Sequence, residues 1–215
     1  METAIISCRT IELEVLKTMR ETGLDCPVFW VESGLHDVPK KLHTALQELL
    51  DSIQADRVIL ALGFCGNSIE GLTVGNYELI FPKVDDCISL LLGSMDNRRR
   101  YERTYFLTRG WLEGERNIYE EYKHTIKRYG PEVGGEIMEM MLGQYRDLAI
   151  LDTGTVDYPA LLEETAPIAE ALHLRQVPVP ATDVLLKQLL TGPWPEDKFC
   201  VLPPYSTIRI SGMVI

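Results

Sequence analysis

Short apolar runs and helix-spaced apolar residues alternate along most of the chain. Ala4-Ile5-Ile6-Ser7-Cys8 has the composition of a buried strand, and Ile11, Val15, Leu16 and Met19 then share one face of a predicted helix. Thr10 is the expected cap of that helix and Gly23 its stop. Pro27 to Val31 is a second apolar run, followed by the loop-like Glu32-Ser33-Gly34-Leu35-His36. Leu42, Leu46, Leu49 and Leu50 predict a helix over 39–53, with Pro39 in the first turn, where a missing N–H costs nothing. Arg57 to Leu62 predicts a buried strand running into Gly63-Phe64-Cys65-Gly66-Asn67. Glu78 to Pro82 predicts another, running into Asp85-Asp86-Cys87, and a short helix over 88–92 ends at Gly93.

The second half continues the alternation. Thr104 to Thr108 is strand-like and leads into Arg109-Gly110-Trp111; helices are predicted over 117–128 and 131–145, the second with methionines that suit adaptable core packing. A strand over 148–151 ends at Asp152-Thr153-Gly154, and a helix over 159–172 follows. Pro178 marks residues 175–179 as an edge strand. A helix over 182–190, capped by Thr182, precedes a final strand over 199–202. This order predicts an α/β protein with a mixed or parallel sheet flanked by helices, a single domain over 1–215 or two packed lobes. The polar stretch 96–103 is the expected boundary between lobes.

Composition narrows the function classes. The 215 residues suffice for a full core, and 46% hydrophobic with 25% charged residues is ordinary for a globular protein. A net charge of -11 opposes nucleic-acid binding, and the one basic run, Arg98-Arg99-Arg100, is flanked by Asp96 and Glu102. No apolar segment approaches the ~20 residues of a membrane span. The first residues carry neither a basic region nor an apolar core of signal-peptide length, so the expected location is the cytoplasm. Five cysteines, an odd number, argue against a disulfide framework and leave thiols for ligation or nucleophilic work.

Three of these cysteines fall at comparable places. Cys8 ends the first strand, Cys65 follows the third and Cys87 follows the fourth. Carboxyl ends of neighbouring parallel strands converge on one edge, which His36 in the loop after the second strand is also placed to reach. A set of Cys8, His36, Cys65 and Cys87 matches the tetrahedral preference of zinc, and three thiolates also hold an iron–sulfur cluster with one other position. Each cysteine equally suits a small buried hydrophobe. Gly63, Gly66 and Asn67 form a turn that exposes N–H groups to a bound anion or carboxylate, although no nucleotide-binding fingerprint is present. Asp86 is a helix cap, a metal ligand or a general base beside Cys87. Trp111, with Tyr105 and Phe106, either walls a pocket for a small ligand or packs in the core.

These segments together resemble the DUF1638 domain proteins of anaerobic bacteria and methanogenic archaea. The resemblance is carried by Ile5-Ile6-Ser7-Cys8, Gly34-Leu35-His36, Pro39-Lys40-Lys41-Leu42, Gly63 to Asn67 with Gly71-Leu72, Pro82-Lys83, Asp86-Cys87-Ile88, Leu91 to Ser94, Thr104 to Thr108, Gly110-Trp111 and Asp152-Thr153-Gly154. The chain departs from the family pattern at Leu62, Ser68, Lys83 and Asp85, where the family has Tyr, Gly, Arg and His; the last replaces an imidazole by a carboxylate. The resemblance implies a link to corrinoid-dependent one-carbon and methylamine metabolism, with a corrinoid protein or methyltransferase as partner beside a small-molecule ligand. The residues themselves favour a metal-binding protein, zinc before an iron–sulfur cluster. The alternatives are a metal-free cysteine-based enzyme of racemase-like design using Cys65 and Cys87, and a non-catalytic partner of a methyltransferase.

Overall fold

A computed structural model describes residues 2–35, 38–114 and 117–210. The described residues form two sheets. β1 (Thr3–Cys8), β2 (Val28–Val31), β3 (Arg57–Ala61) and β4 (Glu78–Pro82) are parallel, and β8 (Phe199–Leu202) adds to β4 antiparallel, in the order β2-β1-β3-β4-β8. The second sheet is parallel, in the order β5 (Thr104–Leu107), β6 (Asp147–Asp152), β7 (Arg175–Pro180). The α/β class read from the alternation of elements is the architecture observed.

Side-chain alternation along the strands explains how the sheets stack. Ala4, Ile6, Val58, Leu60, Leu79 and Phe81 face α2 (Pro39–Ser52), which meets them with Leu42, Leu46 and Leu50. The intervening residues Ile5, Ile59 and Ile80 face a middle layer built from α1 (Glu12–Thr22), α3 (Cys87–Leu91) and α9 (Val184–Thr191). Phe106, Ala149, Leu151 and Val179 of the second sheet close that layer from the other side. The far face of the second sheet, with Leu107, Leu148 and Ile150, packs on α7 (Pro131–Leu142) and α8 (Tyr158–Ala171). Strands covered on both faces need near-continuous apolar runs, which is why β1, β3 and β6 read as such.

The chain crosses between sheets twice. It leaves the first after β4 through α3 and α4 (Met95–Arg99), and returns after β7 through α9 to β8. Among the described residues no helix is long and apolar enough to cross a membrane.

Several local expectations change. Thr10 does not cap α1: Arg9–Ile11 is a single 3-10 turn, the helix starts at Glu12, and the Thr10 hydroxyl donates to Cys8 Sγ at 3.0 Å. Leu16 is only half-buried while Glu14 and Thr18 are buried, because a helix held between two sheets has no single apolar face. The helix predicted to reach residue 145 stops at Leu142. Thr182 lies outside α9, although its hydroxyl still accepts from Val184 N at 3.3 Å. Gly23 and Gly93 stop their helices as expected, Gly23 with φ 68° and Gly93 with φ 81°.

Candidate functional site

Three neighbouring strands deliver three sulfurs to one place. β1 ends at Cys8, β3 leads into the turn carrying Cys65, and Cys87 opens α3 after β4. The turn after β3 continues as a ladder with the loop after β4, Phe64 N donating to Val84 O at 2.9 Å and Cys65 N to Asp85 O at 2.8 Å. Gly63 makes this approach, since a Cβ there would stand 2.5 Å from Asp86 N. Cys65, Gly66 and Asn67 all adopt left-handed backbone, with φ of 44°, 65° and 65°, and fold the turn back so that Ser68 N donates to Phe64 O. In the strand order β2-β1-β3-β4, successive connections leave β1 and β3 in opposite directions. The Cys8 and Cys65 loops therefore border the crevice that such a reversal opens.

A cavity of about 400 Å³ fills this crevice. Cys8, Cys65, Cys87, Gly66 and Asp86 line it together with the apolar side chains of Leu42 and Leu62. The opposite wall comes from the second sheet: Thr108, which caps α5 (Arg109–Glu113) by accepting from Trp111 N at 3.1 Å, and Trp111 itself. Gly110 presses α5 against the turn after β1, where a Cβ would meet Thr10 O at 2.6 Å, and the Thr108 hydroxyl donates to the same carbonyl at 3.2 Å. Gly63 shapes the cavity from behind, and Asn67 is exposed on the turn, away from the lining residues.

The thiols interact with one another. Cys87 is coupled to both of the others, Cys8 and Cys65. The bond to Cys87, followed by burial, pushes the Cys8 thiol far above its ordinary range. Cys87 is raised well above it too, first by its bond to Cys65 and, against the lowering bond from Cys8, by burial. Asp86 lines the cavity beside Cys87. Its carboxylate caps α3, accepting from Ser89 N at 2.7 Å, with Arg98 Nε at 4.0 Å from the other oxygen. Burial raises its pKa, against the hydrogen bond from Ser89 and the charge of Arg98. Asp85 accepts from the Ser89 hydroxyl.

Among the described residues, no group of three or more His, Cys, Asp and Glu side chains is arranged to hold a metal ion. His36, the expected fourth donor, lies outside the described residues. His43 is held by Ser68 O, 2.9 Å from Nδ1, and Cys26 and Cys200 pack elsewhere. Thr10, Glu32 and Thr108 also line the cavity with the thiols, a placement the sequence does not mark. Of these only Thr10 carries a signal in the sequence, its position two residues after Cys8, which equally suits a helix cap.

A family model described as "Protein of unknown function (DUF1638)" matches residues 30–190 of the 215, a span that includes Cys65 and Cys87 and begins after Cys8. No curated protein and no solved structure matches the chain.

Proposed function

We propose that this chain, which belongs to the DUF1638 family, is a metal-binding protein whose Cys8, Cys65 and Cys87 thiolates hold a soft cation. Zinc is the first candidate and an iron–sulfur cluster the second, with His36 as fourth ligand or as a donor behind the ligands. The observation that carries this reading is the convergence of three thiols, from the ends of three adjacent strands, on one largely apolar cavity. Contact among the thiols and burial raise the pKa of Cys8 and Cys87. Such thiols are poor nucleophiles on their own, and a cation is what offsets their ionisation. Bound there, zinc would supply a centre that keeps an additional thiol in its thiolate form.

On the family resemblance alone, the reading extends to corrinoid-dependent one-carbon and methylamine metabolism in the cytoplasm. Its partners are then a corrinoid protein or methyltransferase and a small-molecule ligand. Gly66 and Trp111, which line the cavity, are assigned to that ligand, and Asp86 to proton transfer beside the thiols.

The test is metal analysis of protein purified without oxygen. The expected result is about one zinc, or one cluster, per chain, lost in Cys65→Ser and Cys87→Ser and kept in Asp86→Asn. Metal-free protein with native folding and one thiol that alkylates rapidly at neutral pH would instead establish the metal-free cysteine enzyme.

A further inference from the structure

The second sheet has its own cavity, of about 350 Å³, between α1 and the carboxyl ends of β6 and β7. Its walls include Glu14 and Lys17 of α1, Asp152 at the end of β6 and Thr153 after it, Thr182 after β7, and Leu186 of α9. Nothing in the proposed metal chemistry uses it.

Glu14 is the unusual group. Its residue is 4% exposed, and one carboxyl oxygen, Oε2, is buried with no hydrogen-bond partner. The other, Oε1, is 3.5 Å from the Thr155 hydroxyl, which is paired with that of Thr153 at 2.8 Å. A buried carboxyl oxygen left unpaired is costly, and structures keep few of them. The turn beside it is built for close approach: Gly154, at φ 64°, turns its N–H to Asp152 Oδ1 at 3.1 Å and leaves room for Lys17 Nζ, which a Cβ would meet at 3.0 Å.

We propose that this cavity is a second binding site, for a small organic ammonium ion with a short alkyl group. The acceptors outnumber the cations. Glu14, Asp152 and Asp183 line the cavity against Lys17 alone, and the Lys17 ammonium is engaged by Thr153 O at 3.1 Å and by Glu21 at 3.9 Å. An anion would meet three carboxyl groups there. A primary ammonium donates three hydrogen bonds and needs only ordinary acceptor distances, which the Asp152 carboxylate and the Thr153 and Thr182 hydroxyls of the lining offer, with the unpaired Glu14 oxygen buried behind them. Leu91, Pro180 and Leu186 suit the alkyl part.

Binding is linked to pH through Glu14. Burial raises its pKa, against hydrogen bonds from Thr153 and Thr155 and the charge of Lys17. The other charged groups near it are Glu21 on α1, Asp152 at the end of β6, and Asp183 with Lys187 at α9, the last two paired at 2.8 Å. An ammonium ion favours ionised Glu14, so affinity increases as pH rises above the ordinary carboxylate range, and binding below the raised pKa releases a proton.

Calorimetric titration of the intact protein with propylammonium chloride, and with sodium propionate as control, tests this site. The expected result is saturable binding of propylammonium, none of propionate, and a loss of about tenfold or more in affinity in Glu14→Gln. Repeating the wild-type titration in two buffers of different ionisation enthalpy is expected to show proton release, a readout that survives if the variant fails to fold. Unchanged affinity in Glu14→Gln, preference for propionate, or a wild-type titration without saturation overturns the proposal. Binding is expected to persist in Cys87→Ser, which separates this site from the thiol site.

Discussion

The two sheets end in different chemistry at the same kind of edge. At the first, strand order reverses between β1 and β3, a crevice opens, and the residues at the strand ends are Cys8, Cys65 and Cys87. At the second, β5, β6 and β7 follow in order with no reversal, and the carboxyl ends carry Asp152, Thr153 and Thr182 against Glu14 of the shared middle layer. One edge gathers polarisable sulfur and apolar walls, the other oxygen. Strand order places the crevice, and the first one or two residues beyond each strand decide what it can hold.

The largest test of this contrast is steric. Gly63→Ala forces a Cβ into the Asp86 backbone and is expected to destabilise by about 3 kcal/mol, the scale of overpacking, and to separate Cys65 from Cys87. Gly154→Ala at the other edge meets only the flexible end of Lys17, at the cost of a left-handed alanine, about 1 kcal/mol. Equal losses in urea denaturation would break the distinction between a backbone-locked edge and an adaptable one.

The next test is electrostatic. Because the folded pKa of Glu14 is raised, the stability it contributes is fully present below its unfolded pKa and is lost as pH rises through the folded value. Glu14→Gln is therefore expected to stabilise the protein near neutral pH, by about 1–2 kcal/mol, with the gain vanishing in acid. Asp147, at the opposite end of β6, has the reverse sign. Burial alone would raise it, but hydrogen bonds from Arg175 at 2.8 Å and Arg146 at 3.1 Å outweigh that and lower its pKa. Its contribution is present above the unfolded pKa and lost as pH falls through the folded one, so Asp147→Asn is expected to destabilise at neutral pH and to be silent in acid. Stability curves for the two variants that run parallel in pH would contradict these assignments.

The smallest expected effect is at the cap. Asp86→Ala removes the acceptor for Ser89 N and is expected to cost about 1 kcal/mol, while Asp86→Asn keeps the cap and most of the stability. An equal loss for Asn and for Ala would point to a role of the charge beyond the cap.

Much of this was legible in the chain. Apolar runs ending in cysteine marked β1, β3 and β4, and Gly63 announced a turn that nothing larger fits. The strand neighbours were not legible, because periodicity reports which face a residue occupies and not which strand lies beside it. For the same reason the return of β8 to β4 was hidden. Nothing in the sequence marks Glu14 as buried, since charge on a helix normally marks the outer face; between two sheets α1 has little outer face to offer. Trp111 was noticed through its neighbours Tyr105 and Phe106, yet it reaches the thiol cavity through the Gly110 contact with Thr10, a long-range approach that local sequence does not encode.

The most direct test of the thiol site is X-ray absorption at the zinc edge of protein prepared without oxygen and loaded with zinc. The account predicts three sulfur ligands at about 2.3 Å and one lighter donor. A coordination shell of nitrogen and oxygen alone, or zinc that washes away from folded wild-type protein, would contradict it.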